Sequence, residues 1–236
     1  VNGAIEIPLI GIITGSITAV VLADMRKSVV QGEYQEAVRL FHLTAEKSAY
    51  ILFPVMIFLL ISGDSFIQTL FSEKYAQSVV PFRWYLLLLP MRTVVFGSLL
   101  MAMGKTQVIL FRSIVGFVIN AVLSAIFVII FGFWTAVIAT VITRYAWGVV
   151  YNLNMLSKFY KIPWHGFFPF KAWVKIIWFL TFPATLMLGA MIFTKNFSAP
   201  MQLAVHGIIF WSIVAFWWNG KIYSVRKMYN KIMPIS

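Results

Sequence analysis

Seven apolar stretches of close to 20 residues recur along this chain, parted by short connectors that carry most of its basic residues. An α-helix needs a run of about that length to cross roughly 30 Å of hydrocarbon. The stretches fall at about 4–23, 48–67, 77–101, 107–131, 133–153, 174–193 and 201–219. Composition agrees: 61% of the residues are hydrophobic and 11% are charged, where a soluble domain carries about a quarter charged. So few charges cannot cover a 236-residue globule in water. The chain reads as an all-α integral membrane protein of about seven transmembrane helices.

The basic residues then set an orientation. One set of alternate connectors holds Arg26, Lys27, Arg39, Lys47, Lys105, Arg112, Lys158, Lys161, Lys171, Lys175, Lys221, Arg226, Lys227 and Lys231, while the other holds only Lys74 and Lys195. Loops rich in Lys and Arg stay in the cytoplasm. The expected arrangement has a cytoplasmic C-terminus and an external N-terminal end. The net charge of +12 is therefore assigned to topology and not to nucleic acid, since no Arg-rich face stands clear of the spans. The chain opens on Val1 inside an apolar run, with no basic segment ahead of it, and so is expected to begin within a longer protein.

Between the first two spans, Tyr34, Ala37, Val38, Phe41 and Ala45 recur at helical spacing, with Glu36, Arg39 and Glu46 elsewhere. That spacing predicts an amphipathic helix over 33–47 lying on the cytoplasmic membrane surface, or else binding a partner. Internal prolines at Pro8, Pro54, Pro81, Pro90 and Pro183 predict kinks.

Charges inside spans carry the most functional information, because each costs roughly 2.5–3.5 kcal/mol at the helix centre on insertion scales. Arg92 is twelve residues from Gly104, and Arg144 is twelve from Gly132. At 1.5 Å per residue both stand about 18 Å deep, near mid-depth, on different helices. Arg83 is nearer the outer end, and nine residues from Arg92 it points away on a straight helix. Guanidinium groups at that depth suit an anion, above all phosphate, which Arg grips as a fork. The other reading is that each Arg pairs with an acid or carbonyl on a neighbouring helix.

Ser113, Gly116, Asn120 and Ser124 share one face of the fourth span and suit close helix approach; Asn120 either lines a pathway or makes a packing hydrogen bond. Gly11 and Gly15 form a GxxxG step in the first span. Glu6, near the outer end, either couples transport to an ion or is solvated. His42, His165 and His206 stand apart, with no second histidine three or four residues on, and there are no cysteines. No nucleophile–base pair, phosphate loop or acidic cluster is present, so no catalytic residue, cofactor or metal is expected, and the chain does not read as an enzyme.

Several pieces stand in a definite order. They are Ile7-Pro8-Leu9-Ile10-Gly11, Ser16-Ile17, Val20-Val21-Leu22, Gly32-Glu33-Tyr34-Gln35-Glu36-Ala37, Lys47-Ser48-Ala49 before Phe53-Pro54, Leu70-Phe71-Ser72-Glu73-Lys74-Tyr75-Ala76, Leu89-Pro90-Met91-Arg92 and Met103-Gly104-Lys105-Thr106. In that order the first five spans resemble the polysaccharide flippases of the MOP (multidrug/oligosaccharidyl-lipid/polysaccharide) superfamily. One departure is Gly132-Phe133-Trp134-Thr135-Ala136, where family members often carry Gly-x-x-Gly-Ala. The last two spans match by hydropathy alone.

The resemblance implies the C-terminal lobe of a MATE/MOP-type two-lobe transporter, with the N-terminal lobe of the same chain missing and no transport by this part alone. Residues 1–153 would supply five core spans with the helix at 33–47, and 154–236 a basic loop, two final spans and a cytoplasmic tail. The implied function is flipping a polyprenyl-diphosphate-linked oligosaccharide across a bacterial inner membrane by alternating access, for O-antigen or capsule export. Arg92 and Arg144, with Arg83 and Asn120, would meet the diphosphate. Its implied partners are that lipid-linked substrate, membrane lipids and the missing lobe, with no nucleic acid. Two alternatives stay open. A MATE-like small-molecule exporter would favour cationic substrates and intramembrane acids. A membrane-embedded glycan polymerase or ligase would want acid or His clusters or a long outer loop.

Overall fold

The computed structural model describes Ala19 and residues 21–232, with side chains through Asn219. The first expected span, with Glu6, Pro8, Gly11 and Gly15, lies outside the described residues apart from its last turn. Every regular element among the described residues is helical. They are α1 (Tyr34–Phe71), α2 (Val79–Leu86), α3 (Leu89–Thr93), α4 (Phe96–Ala102), α5 (Thr106–Phe131), α6 (Ala136–Thr143), α7 (Val150–Tyr160), α8 (Phe170–Phe193) and α9 (Ala199–Ile232). A π-helical segment, Arg144–Val149, joins α6 to α7.

Five helical stretches are long and apolar enough to cross a bilayer: Tyr34–Phe71, Thr106–Phe131, Phe133–Tyr160, Phe170–Phe193 and Ala199–Asn219. A sixth is a pair, Glu73–Leu86 and Leu89–Ala102, bent by 42°. These six coincide with the six later stretches read from the sequence. The protein is an all-α membrane protein.

Glycine chemistry ends the helical run 21–30 and α4. Gly32 has φ +79°; its N–H donates to Val29 O at 3.1 Å and that of Glu33 to Ser28 O at 2.8 Å. Gly104 has φ +69° and repeats the pattern, with its own N–H on Met101 O and that of Lys105 on Leu100 O, both at 2.9 Å. This is the Schellman cap, which needs a left-handed residue and so favours glycine. The turn at Gly132 uses another device: the Thr135 hydroxyl reaches Phe127 O at 2.8 Å and Gly132 O at 2.7 Å. The polar hydroxyl, 2% exposed, closes the turn although the second small residue is missing.

One expectation is corrected here. The helix over 33–47 does not stop at Lys47 but is the first part of α1, which runs unbroken for 38 residues. At 1.5 Å per residue that is about 57 Å, nearly twice the hydrocarbon thickness. Its apolar stripe is covered by protein: Ala37, Val38, Phe41 and Ala45 are buried with Val94, Phe96, Leu99, Leu100, Leu153 and Leu156. Phe41 meets Phe96 at 6.1 Å, Tyr34 meets Tyr160 edge-on at 5.7 Å, and the Tyr160 hydroxyl donates to Leu99 O at 3.0 Å. Packing across the stripe removes the need for a lipid surface beneath it.

The contacts gather the chain into two compact units, residues 1–56 with 77–176 and residues 57–76 with 177–236, not into blocks divided at 153. In the second unit the end of α1 packs on α9, where Phe58 meets Phe210 with 5.6 Å between ring centres. His206 is 1% exposed and lies between two hydroxyls, Ser62 Oγ at 3.5 Å from Nδ1 and Thr194 Oγ1 at 3.0 Å from Nε2. Gln202, one turn earlier, accepts from Ser65 Oγ at 2.7 Å and donates to the carbonyls of Thr194 (3.1 Å) and Phe197 (3.0 Å). Among the described residues these bonds make His206 part of a helix-joining polar cluster.

Candidate functional site

The site grows out of a broken helix in the first unit. Pro90 has no N–H, so it is tolerated near the start of α3 and not within a continuous helix. The chain turns at Leu87–Leu88, and the N–H groups of both Met91 and Arg92 go to Leu88 O, at 3.1 and 3.2 Å. The carbonyl of Leu87 is left over, and the Tyr145 hydroxyl of the π segment donates to it. A second break follows where Val94 and Val95 leave helical geometry, with ψ of 91° and 71°. Ser98 closes that end through its N–H and its hydroxyl, both on Val95 O, at 2.9 and 2.8 Å. Spans tolerate such breaks where neighbouring side chains re-satisfy the freed backbone.

Beside the two breaks lies a cavity of about 780 Å³, walled by α2, α3, α4, α5, α6, the π segment and α7. Arg92, in the last turn of α3, lines it, and so does Arg144, first residue of the π segment. Two residues that sequence counting set at similar depth therefore share one cavity. Asn120 lines it as well. Arg83 does not: it is half-buried in the last turn of α2, beyond the Leu87–Leu88 turn. Ser113 and Gly116 follow Asn120 into the lining, whereas Ser124 on the same stripe stays out of it.

A third guanidinium joins them. Arg112, assigned from the sequence to a cytoplasmic connector, stands well inside α5 and lines the cavity. It donates to Asn152 Oδ1 at 3.2 Å, and its own carbonyl accepts the Trp147 indole N–H at 3.0 Å. Trp147 lies against Tyr151 with 5.0 Å between ring centres. The signal for Arg112 was present: Arg112, Gly116 and Asn120 recur every four residues on one helical face.

The electrostatics are one-sided. None of the described lining residues is Asp or Glu. Among the described residues neither Arg92 nor Arg144 has a hydrogen-bond acceptor or a carboxylate partner, so packing through an ion pair does not account for them. The sequence explains the imbalance. All seven acids lie at or before Glu73, while residues 74–236 hold fifteen Lys and Arg. Cations inside a span ordinarily pair or face water; three around one cavity give it a strong preference for an anion.

The π segment adds a geometric point. Arg144, Trp147 and Gly148 all belong to it and all line the cavity. Single π turns inside α-helices cluster at functional sites, because they redirect side chains that an unbroken α-helix would place elsewhere.

Residues 4–80 match the profile of a family described as polysaccharide biosynthesis protein. That region carries the first helices and stops before Arg92. No curated protein and no solved structure matches the chain.

Proposed function

We propose that this chain serves in polysaccharide export as a flippase, moving a polyprenyl-diphosphate-linked oligosaccharide across the inner membrane by alternating access. The observation that carries the reading is the cavity in which Arg92, Arg112 and Arg144 stand together with no carboxylate among the described lining residues. A diphosphate brings the missing negative charge, and each guanidinium offers it a planar pair of N–H donors. The family match over residues 4–80 supplies the polysaccharide context. In this reading the broken span and the π segment belong to one of two lobes that rock around a central site.

The alternatives ask for other residues. A MATE-like exporter of cations wants a carboxylate in the cavity, and residues 74–236 contain none. A glycan polymerase or ligase wants an acid or a histidine poised over its substrate, and the described lining includes neither. The test is transbilayer movement of a fluorescent lipid-linked oligosaccharide by the full-length protein in liposomes. Arg92→Ala and Arg144→Ala should each abolish movement at normal folded yield, and the Lys variants should keep part of it, because a point charge still offsets phosphate. Poor folded yield with near-normal transport by whatever folds would overturn the substrate-site reading.

A further inference from the structure

The cavity is cationic only in part. The hydroxyls of Ser113, Thr140 and Thr143 spend their protons on their own helices, donating to Ile109 O, Ala136 O and Ala139 O at 2.9, 3.1 and 2.9 Å. A hydroxyl oxygen that has donated still has lone pairs to accept with. Asn120 lines the cavity as well; its Oδ1 has no hydrogen-bond partner among the described residues and is covered here, so a turn of the amide about χ2 is what presents that acceptor to a ligand. The wall thus offers donors at three arginines and acceptors at four oxygens.

Resting on the diphosphate reading above, we propose that the acceptor part of this wall reads the first sugar of the substrate, with Asn120 as its specificity-determining residue. An ionised diphosphate has acceptors alone, and a polyprenyl chain has neither donors nor acceptors. A ligand made of those two parts leaves Asn120 Oδ1 unpaired, and a buried acceptor without a partner weakens binding. Sugar hydroxyls, or the N–H of an acetamido sugar, are the donors that complete it. The cavity then fits a glycosyl diphosphate as one object, with phosphate against Arg92, Arg112 and Arg144 and a polyol against Asn120, Thr140 and Thr143.

Two probes separate the parts: geranyl diphosphate, and geranyl diphosphate bearing one N-acetylglucosamine. Their affinities for the full-length protein in lipid nanodiscs are compared as a ratio. In the wild type the sugar-bearing probe should bind roughly 3- to 10-fold tighter, the worth of one or two added hydrogen bonds. Asn120→Leu, close in size and without the acceptor, should bring the ratio near one. Thr140→Val should move it the same way by less. A ratio that Asn120→Leu leaves alone, with both affinities unchanged or reduced together, overturns the sugar assignment while the cationic reading stands. If the wild type binds neither probe, or Arg92→Ala weakens neither, the cationic reading itself fails.

Discussion

The indole N–H of Trp147 donates to the main-chain oxygen of Arg112 at 3.0 Å, and the edge of the ring fills the space left because residue 116 has no side chain. A Cβ on Gly116 would stand 3.1 Å from Trp147 Cδ1. The closeness of α5 to the π segment, and with it the position of Arg112, depends on that absence.

Gly116→Val should therefore push the indole off the Arg112 carbonyl. Overpacking of this kind costs about 1–3 kcal/mol, and Gly116→Ala should cost less. Thermal unfolding in detergent, read by intrinsic fluorescence, checks it. A Val variant that melts with the wild type would mean that the two helices separate freely here.

Arg112 and Asn152 should behave as a coupled pair. Asn152 is 3% exposed, and removing its acceptor with Asn152→Leu leaves a half-buried guanidinium without its partner, at a cost of about 1–3 kcal/mol. Arg112→Met in the same chain should recover most of that loss, since the stranded charge goes too. A double-mutant cycle on chemical denaturation measures the coupling. Strictly additive costs would show that the 3.2 Å contact contributes nothing.

At the start of α1, cysteines at two neighbouring positions should report opposite environments. Glu36 is partly exposed and bonded to Arg39, whereas Phe41 is 1% exposed under Phe96. In an otherwise cysteine-free chain, Glu36→Cys should react quickly with a water-soluble maleimide and Phe41→Cys should stay protected until the protein unfolds. Fast labelling at both positions would place the first turns of α1 away from the rest of the unit.

Topology turns on the bent pair. Lys74 and Lys161 are separated by Glu73–Ala102, by α5 and by Phe133–Tyr160. If the bent pair crosses the bilayer, three crossings lie between the two lysines, and reporter fusions after them should give opposite signals, with Lys161 on the cytoplasmic side as its basic neighbours require. The same signal from both would make the bent pair a re-entrant loop and put Arg92 at the tip of it.

Hydropathy located every span that is described, because burying apolar length in lipid leaves few alternatives. Depth counting brought Arg92 and Arg144 to one cavity even though both counts cross irregular backbone, at Val94–Val95 and at Phe133–Thr135. Arg112 was lost to a smoothed boundary: a charge one and a half turns inside a helix looks like loop when span ends blur by a few residues. The separate helix over 33–47 failed for a related reason. Glu46 and Lys47 sit just ahead of the apolar stretch that begins at residue 48, yet α1 does not end there, since both lie on its polar side while Ala45 and Ala49 continue the buried stripe. The π segment leaves no mark in composition, and the partners of His206 include Ser62, 144 positions away. Contacts of that range are decided by packing.

The absence of acids after Glu73 also makes the cavity vulnerable in one direction. On most protein surfaces a new carboxylate is solvated and does little. Asn120→Asp would instead tether an anion beside Arg92, Arg112 and Arg144, at an effective concentration on the order of millimolar or above. Such a residue is an intramolecular competitor that never dissociates. Under the diphosphate reading it would leave a well-folded protein, more stable than its parent, that is inhibited by its own side chain.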